Sequence, residues 1–325
     1  MTEKTSLVTQ DNLDGNGGGA TKRCSTGSPK LVHPAQPALH CREHRLTQRE
    51  ATAVSSGQRR IVVVGAASGI GAATSTLFRA NGDYVLAVDR RPGGDLPADD
   101  FAQVDLRNPA EIAALLAGLG SGWDVLAHVA GVPGTHPPLD VLTVNYLGFR
   151  LMAEGMAGLL RPGGSIIGVG SIAGLAWQQR AADIAGLLRA TTAADVAAWQ
   201  AEQDPNYPVY STSKEALIVF AKQFAATARS QHGVRVNTVS PGPVETPILR
   251  DFEQSMGKDI LDIARTTVGR HATVADIAPV IAFLASSAAS WVVGQDIQID
   301  GGFANSMLAS ALVAVWTTKR SWEEV

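Results

Sequence analysis

The 325-residue chain has only two cysteines, Cys24 and Cys41, both near its amino end. That excludes a fold built on disulfides and leaves no Cys-x-x-Cys pair for zinc. It also lacks an excess of one charge: 27 Lys and Arg face 30 Asp and Glu, a formal charge of -3. Without a basic surplus, phosphate neutralisation has little to work with, so nucleic acid is not an expected partner. No uninterrupted run of 18 apolar residues occurs and mean hydropathy is only +0.07, so no membrane span is expected. The amino end has no apolar stretch of the kind a secretory signal carries, and a cytoplasmic location is the expectation. Disorder throughout is excluded too, because 45% of residues are hydrophobic and 18% charged. What the chain has in quantity is glycine, 33 residues, which announces tight turns.

Residues 1–58 read as a flexible extension, with Asn16-Gly17-Gly18-Gly19, many Ser and Thr, and no sustained period. Its acids (Glu3, Asp11, Asp14, Glu43, Glu50) speak against a transit peptide, and a translation start near Val54 is the blander alternative. His33, His40, Cys41 and His44 read as solvated polar residues, and no metal is expected.

From Arg59 onward apolar runs and helical patterns alternate. Strands are expected at 61–64, 84–88, 124–129, 165–169, 234–239 and 297–300. Helices are expected at 70–81, 109–119, 142–160, 210–230 and 274–285, with Leu217, Phe220, Ala221 and Phe224 making a core face. Such alternation predicts one α/β domain over 59–303, a doubly wound parallel sheet with helices on both faces. Residues 304–325 form a tail whose apolar part, Met307 to Trp316, is expected to cover the cleft or a second subunit.

Gly65-Ala66-Ala67-Ser68-Gly69-Ile70-Gly71 joins the first strand to the first helix. Glycine there lets a pyrophosphate approach the helix N-terminus, where free N–H groups favour an anion. Asp89, ending the second strand, stands where a carboxylate accepts hydrogen bonds from an adenine ribose. It would repel a 2′-phosphate, favouring NAD over NADP, although Arg90 and Arg91 pull the other way. Tyr210 and Lys214 lie four apart and share a helix face. An ammonium beside a phenol is expected to lower its pKa and make it a usable acid and base. Ser171 follows the 165–169 strand at the ligand-binding edge of the sheet. Asn145 is a polar amide inside a helix and needs partners, and Pro241 to Pro247 follows the 234–239 strand.

Taken together and in order, these motifs resemble the short-chain dehydrogenase/reductase family from about residue 60 to 303. The resemblance implies a Rossmann-type sheet and hydride transfer with a nicotinamide cofactor. Tyr210 would be the acid/base, Ser171 the substrate's hydrogen-bond partner, Lys214 the holder of the nicotinamide ribose, and Asn145 the holder of a water. Gly65, Ser68, Gly69, Ile70, Gly71, Asp89, Asp105, Leu106, Ala130, Gly131, Pro241, Gly242, Val244 and Thr246 would complete the cofactor site. Two departures stand out: Val64 replaces a usual Thr, and His128-Val129 replace the asparagines of Asn-Asn-Ala-Gly. His128 is expected to be a satisfied structural histidine.

Ser171 and Tyr210 are 39 residues apart, far more than the family's usual dozen, whereas Gly131 and Asn145 are only 14 apart. The extra stretch holds helical patches at 184–190 and 193–201. This combination resembles the 3α-hydroxysteroid dehydrogenase/carbonyl reductase subgroup and related coniferyl-alcohol-type dehydrogenases. The expected substrate is a bulky hydrophobic secondary alcohol or its ketone, steroid-like or aromatic, walled by the apolar Trp177, Ile248, Leu249, Phe252 and Met256. An aromatic primary-alcohol dehydrogenase of the coniferyl-alcohol type, a 3-oxoacyl reductase and a non-catalytic dinucleotide sensor are the alternatives. An insertion beside the Tyr210 helix would alter one oligomer face, so a homodimer through helix 274–285 and the last strand is favoured over a tetramer.

Overall fold

The computed structural model describes residues 57–309. All but the last two residues of the expected 1–58 extension, the His/Cys cluster within it and most of the apolar tail therefore lie outside the described residues. Seven strands form one parallel sheet in the order β3-β2-β1-β4-β5-β6-β7. They are β1 (Arg60–Val64), β2 (Tyr84–Asp89), β3 (Asp100–Gln103), β4 (Trp123–His128), β5 (Leu160–Val169), β6 (Arg235–Pro241) and β7 (Asp296–Ile299). The β1 sequence is buried at Ile61, Val62, Val63 and Val64, as a strand covered on both faces requires. Alternate residues divide between two cores. Val62, Val64, Leu86 and Val88 join one, and Ile61, Val63, Val85 and Ala87 the other.

One core is capped by α1 (Gly69–Ala80) and α10 (Val274–Leu284), through Phe78, Ile277 and Ile281. The other lies under α2 (Pro109–Leu119), α4 (Gly148–Ala157) and α7 (Val209–His232), with Met152, Met156 and Leu217 fully buried. Local chemistry sets the helix ends. Asn108 caps α2 by accepting from the Ala110 N–H, with Pro109 at its first position. Gly233 ends α7 at φ 68°, a left-handed conformation suited to glycine.

Three expectations need correction. A strand was missed: β3 has only two apolar residues in Asp100-Phe101-Ala102-Gln103 and sits at the sheet edge, so it carries no continuous apolar run. The helix expected over 142–160 starts earlier and stops earlier. It runs from α3 (Pro138–Leu142) through a π turn (Thr143–Leu147) into α4, while Leu160 already belongs to β5. The insertion is more helical than its sequence patches indicate, with α5 (Trp177–Arg189) and α6 (Ala193–Ala201). Thr192 and Asp195 form a reciprocal capping box that starts α6. Two further helices, α8 (Leu249–Met256) and α9 (Lys258–Val268), follow β6.

Candidate active site

The sheet order reverses where β1 lies between β2 and β4, and a cleft of about 490 Å³ opens at the carboxyl ends of these strands. That is where open α/β sheets bind ligands, and the size suits a cofactor with a small substrate. On one side lies the glycine turn. Gly65 has φ 84°, and a Cβ there would stand 2.6 Å from the Ala130 nitrogen. A Cβ on Gly71 would stand 2.0 Å from the Gly65 carbonyl oxygen. The turn can be this tight only without side chains, and it leaves the N-terminus of α1 open. The first turn of α1 has no acidic residue, and the Ser68 side chain does not cap it. This is a cradle that fits an anionic diphosphate.

Asp89 is tied to that turn: its carboxylate accepts from the Ala67 N–H at 2.9 Å and the Arg91 N–H at 3.0 Å. The Arg91 guanidinium reaches across to the Ser68 hydroxyl at 2.7 Å. Asp105 is held by Arg107 at 2.6 Å, which keeps its carboxyl below the usual range. Thr246 arches back over the turn, so that a Cβ on Gly69 would stand 3.2 Å from its Cγ2. Gly65, Ser68, Gly69, Ile70, Gly71, Asp89, Asp105, Leu106, Ala130, Gly131, Pro241, Gly242, Val244 and Thr246 all line this one cleft.

Across the cleft are Ser171, Tyr210 and Lys214. Ser171 is extended at φ -169° and caps the short 3-10 turn Ile172–Gly174, accepting from the Ala173 N–H at 3.2 Å. Lys214, only 3% exposed, donates to the Val169 carbonyl at 2.8 Å, and its ammonium lies 5.8 Å from the Tyr210 ring centre. The expected lowering of the tyrosine pKa is not what this geometry gives. Burial pushes the Tyr210 phenol up to about 12, with the Ser171 hydroxyl pulling against it, and burial pushes Lys214 down to about 8. Desolvation dominates both shifts.

Asn145 lies beneath the cleft, fully buried in the π turn. Its Oδ1 accepts from the Val132 N–H at 2.8 Å, and its Nδ2 donates to the Val132 carbonyl and the Ser213 hydroxyl, each at 3.0 Å. Both amide N–H groups are therefore spent on protein, and a water-holding role is left to no side-chain donor. His128 is buried against Phe149, and neither ring nitrogen has a hydrogen-bond partner. This corrects the expectation of a satisfied histidine. Burial and the Lys214 charge push it down to about 3.

Of the expected substrate wall, Ile248, Leu249 and Phe252 line the cleft, and Phe252 packs edge-on against Tyr210 with ring centres 5.0 Å apart. Trp177 does not line it. It begins α5 and is turned toward α7, where the Lys222 ammonium lies 5.8 Å from its ring. The Met256 side chain is outside the described residues. Sequence reasoning missed Leu261 and Ala264 of α9, and also Arg107, His136, Asp140 and Phe303, all of which line the cleft. The Ile260, Ile263, Ala264 spacing carries a helical signal for α9; nothing local marks the others.

Residues 59–182 match the family described as short chain dehydrogenase, and residues 190–304 match the one described as Enoyl-(Acyl carrier protein) reductase. The interval between the two falls within α5. The coniferyl-alcohol dehydrogenase of Pseudomonas sp. (strain HR199 / DSM 7063) is 37% identical over 76% of this chain and 97% of its own length. The 3-alpha-hydroxysteroid dehydrogenase/carbonyl reductase of Comamonas testosteroni is 36% identical, over 74% and 95%. The structure of a 3-alpha-hydroxysteroid dehydrogenase from Pseudomonas sp. B-0831, complexed with NADH, superposes with a TM-score of 0.64 at 30% identity, covering 77% of this chain and 98% of that one. With its sheet, its cleft and these relatives in agreement, the chain belongs to the short-chain dehydrogenase/reductase family and is an oxidoreductase acting on alcohol and ketone groups.

Proposed function

We propose that this enzyme interconverts a hydrophobic ring alcohol and its ketone with NAD as cofactor. The observation carrying this reading is the gathering of Ser171, Tyr210 and Lys214 on one side of a cleft, with the glycine cradle opposite and Phe252, Ile248 and Leu249 beside the phenol.

Gly65, Ser68, Gly69, Ile70 and Gly71 would hold the diphosphate, and Asp89 the adenine ribose. Asp105 and Leu106 would border the adenine. Ala130, Gly131, Pro241, Gly242, Val244 and Thr246 would hold the nicotinamide half, with Lys214 on its ribose. The cofactor supplies or accepts the hydride. In reduction the Tyr210 hydroxyl donates its proton to the substrate oxygen while Ser171 fixes that oxygen; in oxidation the phenolate takes the alcohol proton. Lys214 donates to Val169 and so stays aimed between strand end and phenol. Asn145 serves by locking Val132 and Ser213, the residue before Lys214.

Preference for NAD rests on Asp89, whose carboxylate would repel a 2′-phosphate; Arg91 is engaged with Ser68. A second reading, oxidation of an aromatic primary alcohol, is favoured by the 37% identity to a coniferyl-alcohol dehydrogenase. The reading includes a 59–303 catalytic domain, a cytoplasmic location with its dinucleotide pool, and a homodimer. Phe283 on α10 and Trp291 just before β7 are 44% and 92% exposed, which supports pairing there.

Absorbance assays with NADH and NADPH against steroids, aromatic alcohols and diketones test the function. Turnover of at least one bulky substrate is expected, with NADH preferred and Tyr210→Phe inert. Equal turnover by wild type and Tyr210→Phe would remove Tyr210 as the acid/base.

A further inference from the structure

Helix α7 presents Tyr210 and Lys214 to the cleft, and its other side carries Thr212 and Glu215, 0% and 1% exposed. At about 100° per residue, Thr212 and Glu215 point well away from the Tyr210–Lys214 face. What meets them comes from the insertion. Arg180 of α5 places its Nη1 3.3 Å from a Glu215 carboxylate oxygen and 3.3 Å from the Thr212 hydroxyl. Its Nε lies 3.5 Å from Asp183, which is itself largely exposed. Arg180 and Asp183 are the charged groups that act on Glu215 from α5, and burial and Asp183 raise its carboxyl while the guanidinium lowers it.

The same stretch of α7 is gripped from a second direction. Gly174, in the turn begun by Ser171, lies so close that a Cβ there would stand 2.9 Å from the Lys214 carbonyl carbon and 3.0 Å from the Glu215 nitrogen. The α7 backbone at Lys214 is thus fixed by the Ser171 turn and by a guanidinium from the inserted helix. Apolar packing alone would hold α5 at lower cost, since a buried ion pair seldom stabilises more than well-packed hydrocarbon. What the pair adds is direction: a single Nη1 donates to the Thr212 hydroxyl and pairs by charge with the Glu215 carboxylate one turn on, which sets both rotation and register of the helix.

We propose that Arg180 is a positioning residue for the reaction, the contact through which the insertion aligns Tyr210 and Lys214 with Ser171. This rests on the acid/base reading of Tyr210 given above. Five forms of the full chain test it: wild type, Arg180→Gln, Arg180→Lys, Glu215→Gln and the double variant Arg180→Gln/Glu215→Gln. Each is assayed well below its own melting temperature for kcat, for NADH affinity by fluorescence, and for the pH dependence of alcohol oxidation.

Arg180→Gln is expected to lower kcat about tenfold, a loss typical of slight misalignment, with NADH affinity within about twofold of wild type. The Glu215 carboxylate, no longer balanced, favours the protonated amine and the neutral phenol, so the acid limb moves up by about half a pH unit. Glu215→Gln moves it the other way, and the double variant returns it toward wild type. Arg180→Lys recovers kcat in part, because it keeps the charge beside Glu215 but not the guanidinium's bond to Thr212. Wild-type kcat and pH dependence in Arg180→Gln, or an effect confined to melting temperature, would overturn the proposal. A wild-type enzyme that turns over no alcohol or ketone would instead overturn the proposed function, and this alignment role with it.

Discussion

At the scale of single residues, three side chains carry measurable consequences. Replacing Tyr210 by Phe removes one oxygen from a packed ring and leaves the glycine cradle untouched. Turnover is expected to fall by about 10²- to 10⁴-fold while NADH binding is retained, as steady-state kinetics and fluorescence titration would report. Asp89→Ala removes the carboxylate proposed to meet the adenine ribose but leaves Arg91, so the NADH-to-NADPH ratio of kcat/KM is expected to fall at least about tenfold, ~1.4 kcal/mol. His128 is held near a pKa of about 3, far below its ordinary 6.5. The unfolded chain takes up a proton below pH 6.5 and the folded chain does not until about 3. Stability is therefore full above 6.5 and declines as pH falls between those values, with a slope of up to about 1.4 kcal/mol per pH unit. Urea titrations at stepped pH are expected to show this slope in wild type and a shallower one in His128→Asn.

Secondary-structure elements bring a different lesson. Gly71→Ala would drive a methyl against the Gly65 carbonyl, so the β1–α1 turn must open. A loss of stability of about 1–3 kcal/mol or more is expected, with loss of dinucleotide binding, seen by thermal melting and NADH quenching. The glycine turn was legible in the sequence because its constraint is local: strand, three glycines, helix. The same holds for β1, whose four consecutive apolar residues serve two cores at once. It fails for β3, where only tertiary pairing with β2 makes a strand of a mixed tetrapeptide. Tyr210, Lys214 and Ser171 could be picked out because their chemistry and spacing lie along the chain. The direction of the tyrosine shift could not, because it depends on how deeply neighbouring elements bury the phenol. Trp177 misled for a related reason: an aromatic at the start of an insertion looks the same whether it faces cleft or helix.

For the whole molecule, exposed Phe283 and Trp291 lie on the α10 and β7 side of the sheet, away from the insertion's seat on α7. Light scattering after size exclusion is expected to give a dimer, and Phe283→Glu combined with Trp291→Glu a folded monomer; a stable wild-type tetramer would contradict that assembly. Helix α8 borders the cleft, and its Phe252 rests edge-on against Tyr210. In the proposed reaction a guest bound at the phenol would lie beside this ring pair. A broad, flat guest placed there would offer its own face to both rings. Ethanol or acetone would offer little such contact, so under the proposed function kcat/KM is expected to rise with the breadth of the guest's ring.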